Sequence, residues 1–122
     1  MSELHPIDKA IAAHALWKSH LRQAIDSGQW NQTVDDVRDD DRCEFGRWLK
    51  KRPVAEKTSK HFRTVSELHA RFHEEAAHVL ELAIAKRADE AAAAMAIGSS
   101  LASVSARLTS AMVAWKRALD TK

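Results

Sequence analysis

Phe62-Arg63-Thr64-Val65-Ser66-Glu67-Leu68-His69-Ala70-Arg71-Phe72-His73-Glu74-Glu75-Ala76-Ala77-His78-Val79 is the stretch that decides the fold. Phe62, Val65, Phe72, Ala76, Val79 and then Ala83 recur at three- and four-residue steps, the spacing of one face of an α-helix. His69 occupies a place in this apolar series, so an imidazole is directed at the core. The pattern predicts one long helix from about Val54 to Lys86.

The same period extends in both directions. Upstream, Leu4, Ile7, Ile11, Leu21 and Ile25 predict a helix from about Pro6 to Ser27. Pro6 suits a first turn, and Gly28 suits a left-handed stop. His14 falls within that stripe. Downstream, Ile97, Leu101, Val104, Leu108, Met112 or Ala111, Trp115 and Leu119 predict a helix from about Asp89 to Leu119, with Asp89 as N-cap. Gly98, Ser99 and Ser100 weaken it locally. Between the first two helices, Gln29 to Arg42 is polar and acidic and reads as a loop. Cys43 to Lys51 reads as a short helix or turn, ended before Pro53.

Composition agrees with these helices. The 122 residues include 3 Gly, 2 Pro and no Tyr, with 45% hydrophobic and 30% charged residues. Few turn formers and many Ala, Leu, Glu, Lys and Arg favour helices over strands. The expected fold is all-α: an antiparallel bundle of three long helices plus one or more short ones, forming a single domain over residues 1–122. A third long helix leaves an apolar face that a second copy would cover, which points to a homodimer.

Several function classes fall away. A net charge of +2 without a basic block gives no nucleic-acid footprint. No apolar run reaches the roughly 18 residues of a membrane span. Met1-Ser2-Glu3-Leu4 lacks the features of a secretory signal. A single Cys forms no internal disulfide and fits a reducing cytoplasm. No Ser-His-Asp order, phosphate loop or paired carboxylate site stands out, so an enzyme is not expected.

The histidines carry the chemistry. Of 7 in the chain, His14, His69 and His73 lie on or beside core faces. His5 precedes the first helix and His20 is off its stripe. His78 sits among Arg71, Glu74, Glu75 and Glu81 on a solvent face, and His61 belongs clearly to neither face. His69 and His73 stack one turn apart, so both imidazoles reach a common ion. With His14 and the one thiol, Cys43, they complete a His₃Cys set, a mixed nitrogen and sulfur donor group that suits zinc. Glu74 and Glu75 point away from His73, against a di-iron carboxylate site. Four protein ligands leave no open position for hydrolysis. The thiolate is the oxidisable form of Cys43, which makes it a candidate redox-active residue. Trp17 and Trp48 are expected to wall the site or simply to belong to the core. The aspartates before Cys43 read first as a solvated acidic run, with an orienting bond to a ligand imidazole as the alternative.

Three segments, His14-Ala15-Leu16-Trp17, Cys43-Glu44-Phe45-Gly46-Arg47-Trp48 and Leu68-His69-Ala70-Arg71-Phe72-His73, resemble the signatures of the chemoreceptor zinc-binding domain family, in its order and at similar separations. The resemblance implies a small dimeric helical bundle that binds one zinc ion per chain, with the four ligand roles on His14, Cys43, His69 and His73. It implies a regulatory role, in which zinc or an oxidant alters the output of a chemoreceptor or diguanylate cyclase. No such effector lies within these residues, so the expectation is either a piece of a larger receptor or a domain with a separate signalling partner. Three readings stay open: a zinc sensor, a redox sensor, and a structural zinc-stabilised dimerisation module.

Overall fold

A computed structural model describes residues 5–30, 33–40 and 43–120. Leu4, Asp41 and Arg42 lie outside them. The described residues form α1 (Pro6–Ser27), α2 (Val34–Arg38), α3 (Glu44–Lys50), α4 (Val54–Lys57), α5 (Lys60–Ile84), α6 (Ala88–Ala94) and α7 (Ser100–Asp120), with no strand among them. The fold is all-α, as the periodicity requires.

The three long helices make the core. Ile7, Leu21, Val65, Phe72, Val79, Leu80, Leu108 and Met112 are almost wholly buried along their facing stripes. α7 runs antiparallel to the other two. Its end meets the start of α1 through Lys116 and Asp8 (3.3 Å), and the start of α5 through Trp115 and Phe62 (6.0 Å between ring centroids). α1 and α5 run in the same direction: His14 faces His69, and further along Gly28 lies against Lys86. The described residues between α1 and α5, which hold α2, α3 and α4, make the crossover that a parallel pair needs.

Three expected elements differ in the structure. The loop over Gln29–Arg42 contains α2, capped by Thr33, whose hydroxyl accepts from the Asp36 amide (3.0 Å). Val37 anchors this short helix in the core. The single helix over Val54–Lys86 is two: Thr58 bonds back to the Ala55 carbonyl (2.8 Å), and Ser59 caps a new helix by accepting from the Phe62 amide (3.1 Å). Such hydroxyls offer the backbone a local alternative to helical continuation. The helix over Asp89–Leu119 is also two. Gly98 takes a left-handed φ of 91°, and Ser99 accepts from the Ala102 amide to start α7 (3.2 Å). Ile97, read as part of the core stripe, therefore sits in the turn, fully exposed. Arg87, rather than Asp89, takes the N-cap of α6, and Asp89 falls in its first turn.

α5 ends in a Schellman pattern. Lys86 is left-handed at φ 64°; its N–H bonds the Ala83 carbonyl (3.1 Å) and the Arg87 N–H bonds the Leu82 carbonyl (2.9 Å). α1 ends at Gly28, φ 70°, as the sequence predicts. These two ends touch, because the Lys86 side chain fills the space a Cβ on Gly28 would need.

Candidate metal centre

Two parallel helices and one short helix bring four donors together. His14 comes from the middle of α1, and His69 and His73 from successive turns of α5. Cys43 comes from the N-cap of α3, where its sulfur accepts from the Gly46 amide (3.3 Å). Ligand atoms of His14, Cys43, His69 and His73 all lie within 4.8 Å of one another. Sγ of Cys43 is 3.3 Å from His69 Nε2 and 3.6 Å from His73 Nε2; the two Nε2 atoms are 3.1 Å apart. A tetrahedron with bonds of about 2.05 Å to nitrogen and 2.3 Å to sulfur has edges of roughly 3.3 Å between nitrogens and 3.6 Å between nitrogen and sulfur. The donor set fits zinc, as do the three edges joining Cys43, His69 and His73; the edges to His14 are bounded at 4.8 Å.

The rings are aimed from behind. His14 Nδ1 bonds the Ala10 carbonyl (2.7 Å) and His73 Nδ1 bonds the Val37 carbonyl of α2 (2.8 Å). Each bond places the proton on Nδ1 and turns a bare Nε2 toward the cluster. His14 Nε2 is buried without a partner among the described residues, a costly state that a cation would relieve.

Electrostatics keep the imidazoles neutral. Burial pushes His14 down to about 4, against the Ala10 carbonyl bond, with a smaller push from His73. Burial, then His73 and His14, push His69 down to about 2. His73 is also lowered by burial, opposed by the Val37 carbonyl and by the charges of Asp40 and Asp39. Burial raises the Cys43 thiol, against the Gly46 and Phe45 amides. A neutral imidazole is already in its metal-binding form, whereas the thiol must shed a proton.

The walls differ in part from expectation. Trp17 stands edge-on to His73 (6.3 Å) and borders the site, as read from the sequence. Trp48 does not border it directly. Phe45 intervenes, edge-on to His69 (5.2 Å) and stacked on Trp48 (5.7 Å); Trp48 in turn meets Trp115 (5.4 Å) and carries Arg52 over its face (4.3 Å). Phe72 closes the floor beneath His14 (5.0 Å). Phe45 and Phe72 were legible as apolar residues but not as ring partners. A cleft of about 330 Å³ borders Cys43 between Asp36, Asp39, Arg47 and His73. His20, His61 and His78 are exposed and stand outside the cluster. His5 instead caps α1, its Nδ1 accepting from the Ile7 amide (3.0 Å).

The chemoreceptor zinc-binding domain family model matches residues 14–80. That is more than half of the 122-residue chain, and the match spans all four clustered residues. No curated protein and no solved structure matches the chain.

Proposed function

The chain belongs to the chemoreceptor zinc-binding domain family, and from that premise we propose that it is a non-enzymatic regulatory domain. One zinc ion per chain is held by Nε2 of His14, His69 and His73 and by Sγ of Cys43. The carrying observation is the convergence of these donors within 4.8 Å in a buried, neutral pocket. Bound zinc would hold Cys43 as its thiolate and make that sulfur the oxidisable atom of the site.

The chain's own residues supply the switch. His14, His69 and His73 are fixed on long helices, and Cys43 rides on α3, seven residues long. Release of Cys43, by metal loss or by oxidation with hypochlorous acid or a peroxide, frees the crossover segment from the histidine base. The cleft bordered by Arg47 and Asp39 brings such solutes to the edge of Cys43, and they reach its sulfur as the segment opens. The output is a change in a bacterial signalling partner of chemoreceptor or diguanylate cyclase type, fused or separate. The domain acts as a homodimer in the cytoplasm, where a lone thiol stays reduced.

Metal analysis with X-ray absorption tests the site. One zinc per chain is expected, with three nitrogen neighbours and one sulfur at about 2.3 Å. A first shell without sulfur removes Cys43. A chain that loses its helices on chelation makes the zinc structural, and the regulatory reading gives way to a zinc-stabilised dimerisation module.

A further inference from the structure

The three imidazoles are unequally supported. His14 and His73 each bond a main-chain carbonyl through Nδ1. His69 is the most deeply buried of the three, at 0% exposure, and its Nδ1 has no partner among the described residues. Its Nε2 lies 3.3 Å from Cys43 Sγ, so the ring is turned with that nitrogen into the cluster. Offering a lone pair there requires the proton on Nδ1. An N–H sealed from water without an acceptor is costly.

A second orphan lies three residues before it on α5. Ser66 Oγ is also buried without a partner among the described residues. Ser66 precedes His69 by three residues on α5, and side chains at that spacing are neighbours on one face. Helical side chains lean toward the N-terminus, the direction in which Ser66 lies from His69. A serine hydroxyl accepts one hydrogen bond while donating another to a carbonyl of the preceding turn. The needs of the two orphans are complementary. They are not hydrogen-bonded in this structure; the pair closes only if the hydroxyl or the ring turns, or if one water bridges them.

We infer that Ser66 is the positioning residue for His69: its hydroxyl accepts the Nδ1–H, directly or through one water, and fixes the tautomer and ring plane in which His69 presents Nε2. Each imidazole of the cluster then has an acceptor behind it, two from the main chain and one from a side chain. The inference rests on the zinc reading for its consequence but not for the hydrogen bond itself.

The experiment compares the parent with Ser66→Ala and Ser66→Thr, metal-free and loaded with one equivalent of zinc. Histidine-ring proton–nitrogen spectra read the Nδ1–H of each imidazole, and chelator competition reads zinc affinity. A slowly exchanging His69 Nδ1–H is expected in the parent and in Ser66→Thr. In Ser66→Ala it exchanges with water, while the His14 and His73 signals stay. Zinc affinity falls on the order of 10-fold in Ser66→Ala, the lower range for loss of a ligand's outer partner, and Ser66→Thr restores most of it. Ala favours helix more than Ser, so the variant folds; circular dichroism checks this. An unchanged His69 Nδ1–H in Ser66→Ala overturns the inference, whether or not affinity moves, because the serine then acts through packing alone. The hydrogen bond is read in metal-free protein, so a parent that binds no zinc defeats the zinc reading while leaving the bond decided separately.

Discussion

The site is built from two regions of opposite character. α1 and α5 are 22 and 25 residues long, and their buried stripes hold three imidazoles at 0–6% exposure. Residues 33–50 supply Cys43 and the Val37 carbonyl from helices of five and seven residues. Their main anchors are Val37, Phe45 and Leu49 in the core, the His73–Val37 bond, and an ion pair from Arg38 to Glu81. That pair is solvent-exposed and worth about 0–1 kcal/mol. The histidine base is thus part of the fold, whereas the thiol is delivered to it. Local opening free energy is lowest where few apolar groups are buried, so the segment is expected to open before the base does.

The largest test removes one donor from each region. His69→Ala and His73→Ala are expected to weaken zinc binding by more than the roughly 100-fold that marks loss of an outer partner, because each breaks the preorganised pair on α5. Cys43→Ala should retain a weaker, three-imidazole site that hypochlorous acid no longer empties. Competition titration with a chelator ranks them. If Cys43→Ala loses more than both histidine variants, the thiolate is the anchor and the division between the regions is reversed.

Zinc should stabilise a domain that is already folded. The apolar stripes of α1, α5 and α7 do not depend on the metal, so chelated protein keeps its helical circular dichroism. At free zinc about 1,000 times the dissociation constant, linkage adds roughly 4 kcal/mol, seen as a higher Tm. Random-coil spectra after chelation would mean the base itself needs the ion.

Acid and alkali separate the two regions in metal-free protein. The folded imidazoles titrate below the ordinary value of 6.5, near 4 for His14 and near 2 for His69. Below pH 6.5 the unfolded chain takes protons that the fold refuses, so stability falls as pH falls. The slope is at most about 1.4 kcal/mol per pH unit for each histidine. Cys43 is shifted the other way, upward from 9.0. Its contribution is complete below that value and is lost as pH rises past it, when only the unfolded thiol ionises. Urea unfolding from pH 4.5 to 10 should show both flanks, and Cys43→Ala should flatten only the alkaline one. An acid flank that also flattens in that variant would tie the histidines to the thiol.

The same division governs what the sequence makes legible. Long stripes repeat their signal over many turns, so α1, α5 and the core of α7 are plain, as is the placing of His14 and His69 on inward faces. Short elements repeat nothing. α2 has only Val34 and Val37 as an apolar pair and Thr33 three residues before Asp36 as a cap. Five aspartates between positions 35 and 41 outweigh that signal. The breaks at Ser59 and Ser99 come from hydroxyls that cap as readily as they continue a helix. Ile97 was misplaced because periodicity carries on through a turn that Gly98 makes. Backbone acceptors leave no mark at all: the carbonyls of Ala10 and Val37 that aim two rings are independent of the side chains there.

The smallest expected effect tests whether Cys43 depends on α2. Thr33 caps that helix through the Asp36 amide (3.0 Å), on the exposed side of the molecule. Thr33→Ala removes the cap at a cost of about 1 kcal/mol, within the usual range for N-cap loss. The loss falls on a segment of five residues, so it acts on local opening more than on the core. Val37 sits on α2 and bonds His73, while Asp40, just past its end, takes the Cys43 thiol through its carbonyl (3.7 Å). Fraying α2 should therefore loosen both sides of the delivered thiol. Metal-free Thr33→Ala should react with a thiol reagent about 5-fold faster than the parent, the factor that corresponds to roughly 1 kcal/mol of opening. Ser59→Ala removes the equivalent cap from α5, where Phe62 and Val65 hold the helix start in the core, and should leave the labelling rate near the parent's. If Ser59→Ala accelerates labelling as much as Thr33→Ala, Cys43 is exposed by opening of the whole bundle, and the crossover segment is not an independently moving part.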